Sequence, residues 1–131
     1  MRLLLDTLIA LWAVVDDPKL PASARDLISD TDNEAMISVA SLWEIAIKHA
    51  LAHGSPHDMP LSAQQARGHF RDAGYVFLEI SPAHVVAVET LPSLHADPFD
   101  RILVAQALVT PLRLLTRDLT VARYSDSIIH V

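Results

Sequence analysis

The chain has 131 residues, of which 51% are hydrophobic and 20% charged, and its formal net charge is −6 at pH 7. This length predicts one domain spanning residues 1–131, with enough apolar residues for a sizeable core. The acidic balance argues against a simple basic nucleic-acid-binding protein, and the absence of cysteine excludes disulfides and thiolate chemistry.

The first residues, MRLLLD, carry one basic side chain and an apolar run that ends at Asp6. This pattern matches neither a signal peptide nor a transmembrane helix, so we expect a soluble, cytoplasmic protein that does not bind membranes. The same run predicts a buried strand. Farther along, apolar runs alternate with segments of helical spacing, which is typical of an α/β fold with a central, mostly parallel sheet.

Strands and helices are predicted along nearly the whole chain. The predicted strands are residues 2–6, 35–39, 75–79, 113–116 and 127–130. The predicted helices are residues 7–14, 22–30, 41–52, 62–73, 82–91 and 99–109. Gly74 stands where a helix C-cap is expected, and residues 53–60 are predicted to form a loose connecting loop.

Four acids stand where a predicted strand ends or a predicted helix begins: Asp6, Glu44, Asp100 and Asp118. Asp6 and Asp118 follow apolar strands, at the edge where open parallel sheets bind ligands. Glu44 and Asp100 lie near helix starts, where the helix dipole favours negative charge. Converging carboxylates repel unless a cation neutralises them, and hard oxygen ligands suit Mg²⁺ or Mn²⁺. The four acids therefore predict a divalent-metal site.

Two of these acids also have a purely structural interpretation as parts of helix starts. Ser41 and Glu44 match a capping box, in which the glutamate reaches back to the N-cap amide. Asp97 followed by Pro98 matches an N-cap pair, which leaves Asp100 as a favourable acid in the first helical turn. Taken singly, these interpretations are the more common ones.

The other two acids could cap the helices that follow them. Asp6 precedes the first predicted helix, and Asp118 precedes a short helical segment at residues 119–124. Their shared position at one sheet edge nevertheless favours a joint role. Thr7 adds a hydroxyl that could orient a carboxylate or a metal-bound water.

Seven histidines raise the alternative of a zinc site. His49, His53 and His57 are four residues apart, but the run leaves the predicted helix for the loop around Gly54, which makes them a poor ligand set. His95 is predicted to be a loop residue near the acidic site and not a ligand.

Four stretches, in order, closely resemble the PIN-domain toxins of the VapC type: LLLDTLIALW at residues 3–12, SVASLWEIAIK at 38–48, HADPFDRILVAQAL at 95–108 and LLTRD at 114–118. DPFDR and LWEIAIK are the most specific of these. The resemblance covers nearly the whole chain and implies a three-layer α/β/α sandwich. It also implies a metal-dependent endoribonuclease, which cleaves RNA phosphodiester bonds with metal-activated water, and inhibition by a cognate antitoxin.

The resemblance assigns the four acids as metal-binding and catalytic residues. Asp6 matches the family's first metal-binding aspartate, Glu44 the helix glutamate, Asp100 the aspartate before the arginine of DPFDR, and Asp118 the last aspartate of TRD. The implied cofactor is Mg²⁺, with Mn²⁺ as an alternative, and the implied substrate is RNA such as tRNA or rRNA. Leu8 departs from the pattern because many relatives carry histidine there, which would be a polar group near the site.

Three cationic side chains stand close to the acids. Arg101 and Arg117 are adjacent to two of them and could bind RNA phosphates, although pairing with surface carboxylates is the simpler role. Lys48 is predicted to form an ordinary helix-surface ion pair with Glu44, four residues before it.

The mean hydropathy of +0.29 is high for a small chain, which predicts that another subunit or a partner covers some apolar surface. We therefore expect a homodimer that also binds an antitoxin, with Trp12 and Trp43 in the core or at an interface.

Two alternatives to the enzyme remain. The first is a phospho-acceptor receiver domain, which needs a lysine near the end of the chain. The only lysines are Lys19 and Lys48, which argues strongly against it. A catalytically silent module of the same fold would bind antitoxin or RNA without cleaving.

Overall fold

A computed structural model describes residues 1–52 and 59–131. The strands are β1 (Arg2–Leu5), β2 (Glu34–Ser38), β3 (Val76–Leu78), β4 (Arg113–Thr116) and β5 (Ile129–His130). The helices are α1 (Thr7–Val14), α2 (Ala22–Ser29), α3 (Val39–Leu51), α4 (Ala63–Asp72), α5 (Pro82–Val88), α6 (Pro98–Val109) and α7 (Leu119–Ala122). Most of the predicted loop at residues 53–60, with His53 and His57, lies outside the described residues.

The five strands form one sheet in the order β3-β2-β1-β4-β5, and each pairing is parallel. The chain runs outward from β1 through β2 to β3 and then returns to add β4 on the free side of β1. Leu5 consequently pairs with Ile37 on one side and with Leu115 on the other. The crevice between β1 and β4 is a topological switch point, the usual ligand position in such sheets.

Both faces of the sheet are covered by helices. Leu3 and Leu5 of β1 point into a core shared with α1 to α4, which includes Phe70. Leu4 points to the opposite core, which Leu103 of α6 and Val121 of α7 help to form. Each leucine contributes on the order of 2 kcal/mol by burial, and burial on both faces explains why β1 is continuously apolar. The predicted three-layer α/β/α sandwich is confirmed.

Helix boundaries agree with the predicted ones to within one residue except at the start of α3 and at the end of α5, which stops at Val88 instead of residue 91. Ser38, the last residue of β2, is the N-cap of α3, and its Oγ accepts a hydrogen bond from the Ala40 amide at 3.0 Å. The helix therefore starts at Val39, directly after the strand. Gly74 follows α4 with φ of 82°, a conformation that favours glycine. Within the described residues, no helix has the length and apolarity needed to span a membrane.

Candidate functional site

The ends of β1 and β4 place two acids side by side at the switch point. The Asp6 amide donates to the Leu115 carbonyl at 3.1 Å, which fixes the end of β1 against β4. Asp6 also caps α1, since its Oδ1 accepts from the Ile9 amide at 2.9 Å. Asp118 caps α7 in the same way, with its Oδ1 accepting from the Thr120 amide at 2.8 Å. Capping occupies one carboxylate oxygen, so these acids can cap a helix and also face the crevice.

Glu44 reaches the same crevice from the second turn of α3, where it is 5% exposed. Its Oε2 lies 2.6 Å from Lys48 Nζ, which confirms the predicted pairing four residues apart, but Glu44 is buried, so this is not the surface pair that was expected. The capping-box interpretation of Glu44 is wrong, because Ser38 caps α3 and Ser41 therefore lies inside the helix. Glu44 is left as a buried acid whose carboxylate faces the cleft and pairs with one lysine.

Asp100 enters the cleft from the first turn of α6. Asp97 caps this helix, accepting from the Phe99 amide at 2.8 Å, and Pro98 occupies the first helical position, as predicted. The Asp100 carboxylate is free of the cap, and its Oδ2 lies 2.7 Å from His95 Nε2.

One cleft of about 370 Å³ collects all four predicted acids. They come from two strand ends and two helices that are far apart in sequence. The positions of these acids in the sequence predicted that they would meet. The other residues that line the cleft are Thr7, Leu8, Leu11, Lys48, Met59, Asp97 and Arg117. The cleft is therefore lined by acidic, apolar and cationic residues together.

Burial, and to a smaller extent neighbouring charges, raise the proton affinity of two acids in the cleft, Asp6 and Asp100. Burial raises the pKa of Asp6 to about 6, and the charges of Asp100 and Glu44 add to this, while the Thr116 hydroxyl opposes it. Burial also raises the pKa of Asp100, against the hydrogen bond from His95. Carboxylates that are costly to ionise together are stabilised in the ionised form by a cation between them.

Two cations line the cleft beside the acids. Glu44 holds the pKa of Lys48 above its ordinary value through their hydrogen bond, which keeps this ammonium charged. Arg117 is exposed and lies between the end of β4 and Asp118. Both side chains can reach an anionic ligand that enters the cleft.

Arg101 has neither of the roles predicted for it, which were binding an RNA phosphate or pairing with a surface carboxylate. Its guanidinium donates to backbone carbonyls, through Nη1 to Pro92 at 3.0 Å and through Nη2 to Val88 at 3.1 Å. Nη1 also donates to the Tyr124 hydroxyl at 3.0 Å. Arg101 thus ties the segment between α5 and α6 to the start of α6.

Sequence reasoning missed two residues that contact the acids. His95, predicted to be only a neighbour, approaches Asp100 and also lies 3.5 Å from Asp118 Oδ2 through Nε2. Thr116 accepts from the Asp118 amide at 3.0 Å, and its hydroxyl lowers the pKa of Asp6 against the effect of burial. A hydroxyl at the end of β4, two residues before an acid, was a usable signal for Thr116. No spacing rule points to His95, because it lies outside α6.

Two residues of α1 also bear on the site. The Thr7 hydroxyl donates to Ser41 at 2.8 Å, so it ties α1 to α3 instead of orienting a carboxylate as expected. Leu8 is 48% exposed and lines the cleft, where it gives an apolar surface at the position that many VapC-type sequences fill with histidine.

A scan against protein-family models matches residues 3–126 to the PIN domain. The chain belongs to the PIN-domain family. This match confirms the family resemblance that the sequence motifs predicted. A search of curated protein sequences finds no significant match.

Two solved structures share the fold along almost the entire chain. One is VapBC2 from Rickettsia felis bound to a DNA fragment from its promoter, with 17% identity and a TM-score of 0.66, covering 100% of this chain and 98% of that chain. The other is a toxin-antitoxin complex from Klebsiella pneumoniae, with 17% identity and a TM-score of 0.64, covering 96% of this chain and 94% of that chain. At this identity the likeness establishes the PIN-domain fold.

Proposed function

We propose that this PIN-domain protein is a VapC-type toxin, a metal-dependent endoribonuclease that acts in the cytoplasm and is inhibited by a cognate antitoxin. The observation that carries the proposal is the convergence of Asp6, Glu44, Asp100 and Asp118 on one cleft at the switch point. The similar VapBC2 and toxin-antitoxin structures support the toxin and antitoxin roles.

The donor set fits a hard divalent cation such as Mg²⁺, with Mn²⁺ as the alternative. Asp6, Asp100 and Asp118 would hold the ion, and Glu44 would contact the ion or its water. Carboxylate oxygens are the ligands these ions prefer. A cation would offset the burial that raises the pKa of Asp6, together with the smaller repulsion from Asp100 and Glu44. When bound, the ion lowers the pKa of a coordinated water and stabilises charge on phosphate oxygens.

The protein's other cleft residues would bind and orient the RNA. Lys48 and Arg117 can contact phosphates next to the scissile bond, since both line the cleft beside the acids. Leu8 adds an exposed apolar side chain to the lining of the cleft. The resemblance to VapC-type toxins makes RNA the proposed substrate class, with tRNA and rRNA as the first candidates. Hydrolysis would add one water across one phosphodiester bond of that RNA.

Metal-dependent cleavage separates this proposal from the silent-module alternative. Purified protein is incubated with mixed tRNA and rRNA in Mg²⁺ or Mn²⁺, and a parallel sample contains a chelator. We expect discrete RNA fragments only in the samples with metal. Intact RNA in every sample, from a protein that still binds its antitoxin, would favour the silent module.

We further propose that the protein forms a homodimer through an apolar groove between α3, α5 and α6. Trp43 is 61% exposed in this groove and packs edge to face on Phe99, with ring centroids 5.1 Å apart. Val85 lines the same groove, and the neighbouring Val86 is also exposed. An exposed tryptophan among aliphatic residues is typical of an interface, in keeping with the high mean hydropathy.

A further inference from the structure

His95 lies between two of the acids at the cleft. Its Nε2 is 2.7 Å from Asp100 Oδ2 and 3.5 Å from Asp118 Oδ2. One donor atom from each of these three residues falls within 4.8 Å of the others. The imidazole is therefore directed at the gap between the two carboxylates.

Hydrogen bonds hold this histidine in place. The His95 amide donates to the Tyr124 hydroxyl at 2.9 Å, and the same hydroxyl accepts from Arg101 at 3.0 Å. Arg101 additionally donates to the His95 carbonyl at 3.4 Å. The backbone that carries the imidazole is thus fixed to α6, the helix that carries Asp100.

The separations agree with three donors around one ion. Neighbouring ligands of an octahedral ion at about 2.1 Å lie about 3 Å apart, and opposite ligands about 4.2 Å apart. His95 Nε2 lies 2.7 Å from Asp100 Oδ2 and 3.5 Å from Asp118 Oδ2, on either side of the separation expected for neighbouring ligands. All three donors fit within 4.8 Å of one another. Closing this arrangement on a cation needs small side-chain movements and the tautomer with its hydrogen on Nδ1, because Nε2 must exchange its hydrogen bond with Asp100 for a bond to the metal.

We propose that His95 is a nitrogen ligand of the ion held by Asp100 and Asp118, and that it makes the site prefer Mn²⁺ to Mg²⁺. The inference rests on the proposed function, because it takes the acidic cleft to be a metal site. Imidazole is a good ligand for the first-row transition metals, whereas Mg²⁺ prefers oxygen and keeps its water. Between these two ions, a mixed nitrogen and oxygen donor set therefore favours Mn²⁺ over Mg²⁺.

A purely positioning role for His95 makes a different prediction. If the imidazole only oriented Asp100 by a hydrogen bond, its loss would weaken Mn²⁺ and Mg²⁺ binding by the same factor. Direct ligation instead couples the metal to a nitrogen nucleus and weakens Mn²⁺ binding selectively. The two roles are separable by spectroscopy and by comparing the two ions.

The test measures metal binding directly, with Mn²⁺ and Mg²⁺ as probes. Pulsed electron paramagnetic resonance of the Mn²⁺-loaded full chain reports nitrogen coupling, and Mn²⁺ and Mg²⁺ affinities are measured by titration. The variants are His95→Ala and His95→Gln, with His69→Ala as the matched control because His69 is exposed on α4, away from the cleft lining. Circular dichroism checks that each variant is folded.

We expect nitrogen coupling in the wild type and in His69→Ala, and its loss in both His95 variants. Their Mn²⁺ affinity should fall on the order of tenfold or more, with a much smaller change for Mg²⁺. Bound Mn²⁺ without nitrogen coupling in the wild type would overturn the assignment even if both variants fail to fold. An equal loss of affinity for both ions would overturn it as well.

The outcomes also separate this inference from the proposed function. Nitrogen-coupled Mn²⁺ in a protein that cleaves no RNA would overturn the ribonuclease and leave the His95 ligand standing. Metal-dependent RNA cleavage without nitrogen coupling would support the ribonuclease and overturn His95 as a metal ligand. Failure of the wild type to bind either ion would overturn both.

Discussion

At the scale of single residues, the acids of the cleft combine two roles that sequence reasoning treated as alternatives. Asp6 and Asp118 cap helices through Oδ1 and still line the cleft. Asp97 caps α6 and lines the cleft as well. The capping interpretations were therefore confirmed for all three without counting against the metal site. Only the interpretation of Glu44 as half of a capping box was wrong.

Asp97 provides a test of capping separate from metal binding. Asp97→Ala removes the acceptor for the Phe99 amide and should lower the free energy of unfolding by about 1 kcal/mol. Asp97→Asn keeps an acceptor and should leave that free energy nearly unchanged. Chemical denaturation of both variants checks this. Equal destabilisation by the two substitutions would contradict the assignment of Asp97 as a cap.

The buried negative charge of Asp6 is predicted to lower the free energy of unfolding of the metal-free protein. Its pKa is about 6 in the folded protein against an ordinary value of 3.8, so the folded state binds this proton more tightly. Stability is therefore lost as the pH rises between these two values. Asp6→Asn removes the charge but keeps an acceptor for the Ile9 amide.

In the presence of a chelator, Asp6→Asn should raise the Tm by a few degrees at neutral pH. The gain should shrink as the pH falls below about 6, because wild-type Asp6 becomes protonated there. Thermal denaturation of the variant and the wild type, at neutral pH and at values below about 6, measures this difference in Tm. A variant that melts below the wild type at neutral pH would contradict this account of the Asp6 charge.

At the scale of elements, periodicity and punctuation were sufficient for most boundaries. β1 reads as an apolar run because helices cover both faces, and α6 starts where Asp97 and Pro98 predict. The start of α3 was misplaced because Ser38 ends β2 and caps the helix at once, leaving no loop to mark the change. Arg101 could not be interpreted correctly from sequence, since its acceptors are a carbonyl at the end of α5, a carbonyl of the irregular segment that follows, and the distant Tyr124 hydroxyl.

The segment between α5 and α6 should depend on Arg101. Arg101→Ala removes donors to the carbonyls of Pro92 and Val88 and to the Tyr124 hydroxyl. We expect the free energy of unfolding to fall by about 1–3 kcal/mol. Arg101→Lys, which keeps the charge but not the planar group of donors, should lose nearly as much.

Urea denaturation of both Arg101 variants provides the measurement. Arg67→Ala is the matched control, since Arg67 is an exposed residue of α4 and should have little effect. Wild-type stability in Arg101→Ala would show that these hydrogen bonds do not hold the segment.

At the scale of the whole molecule, the strand order determines the site. The β3-β2-β1-β4-β5 order puts the ends of β1 and β4 side by side, and α3 and α6 bring in the remaining acids. Sequence could predict this meeting of acids from the family resemblance and the βαβ pattern. It could not predict the approach of His95, which depends on contacts between an irregular segment and Tyr124.

The apolar groove makes the homodimer testable. Val85→Asp places a charge among the exposed apolar residues of the groove and should shift the protein to a monomer. Light scattering at micromolar concentration should give twice 14.4 kDa for the wild type and 14.4 kDa for the variant. A matched exposed valine, Val76→Asp on β3, should stay dimeric. A monomeric wild type would contradict the dimer.

The most direct test of the central claim is RNA cleavage by Asp100→Asn beside the wild type in the same metal. The control is Asp72→Asn, which makes the same change of charge at an exposed residue at the end of α4. Our account predicts that Asp100→Asn stays folded and loses cleavage by roughly a hundredfold or more, while Asp72→Asn cleaves like the wild type. Cleavage by folded Asp100→Asn at the wild-type rate would contradict the acidic cleft as the catalytic site.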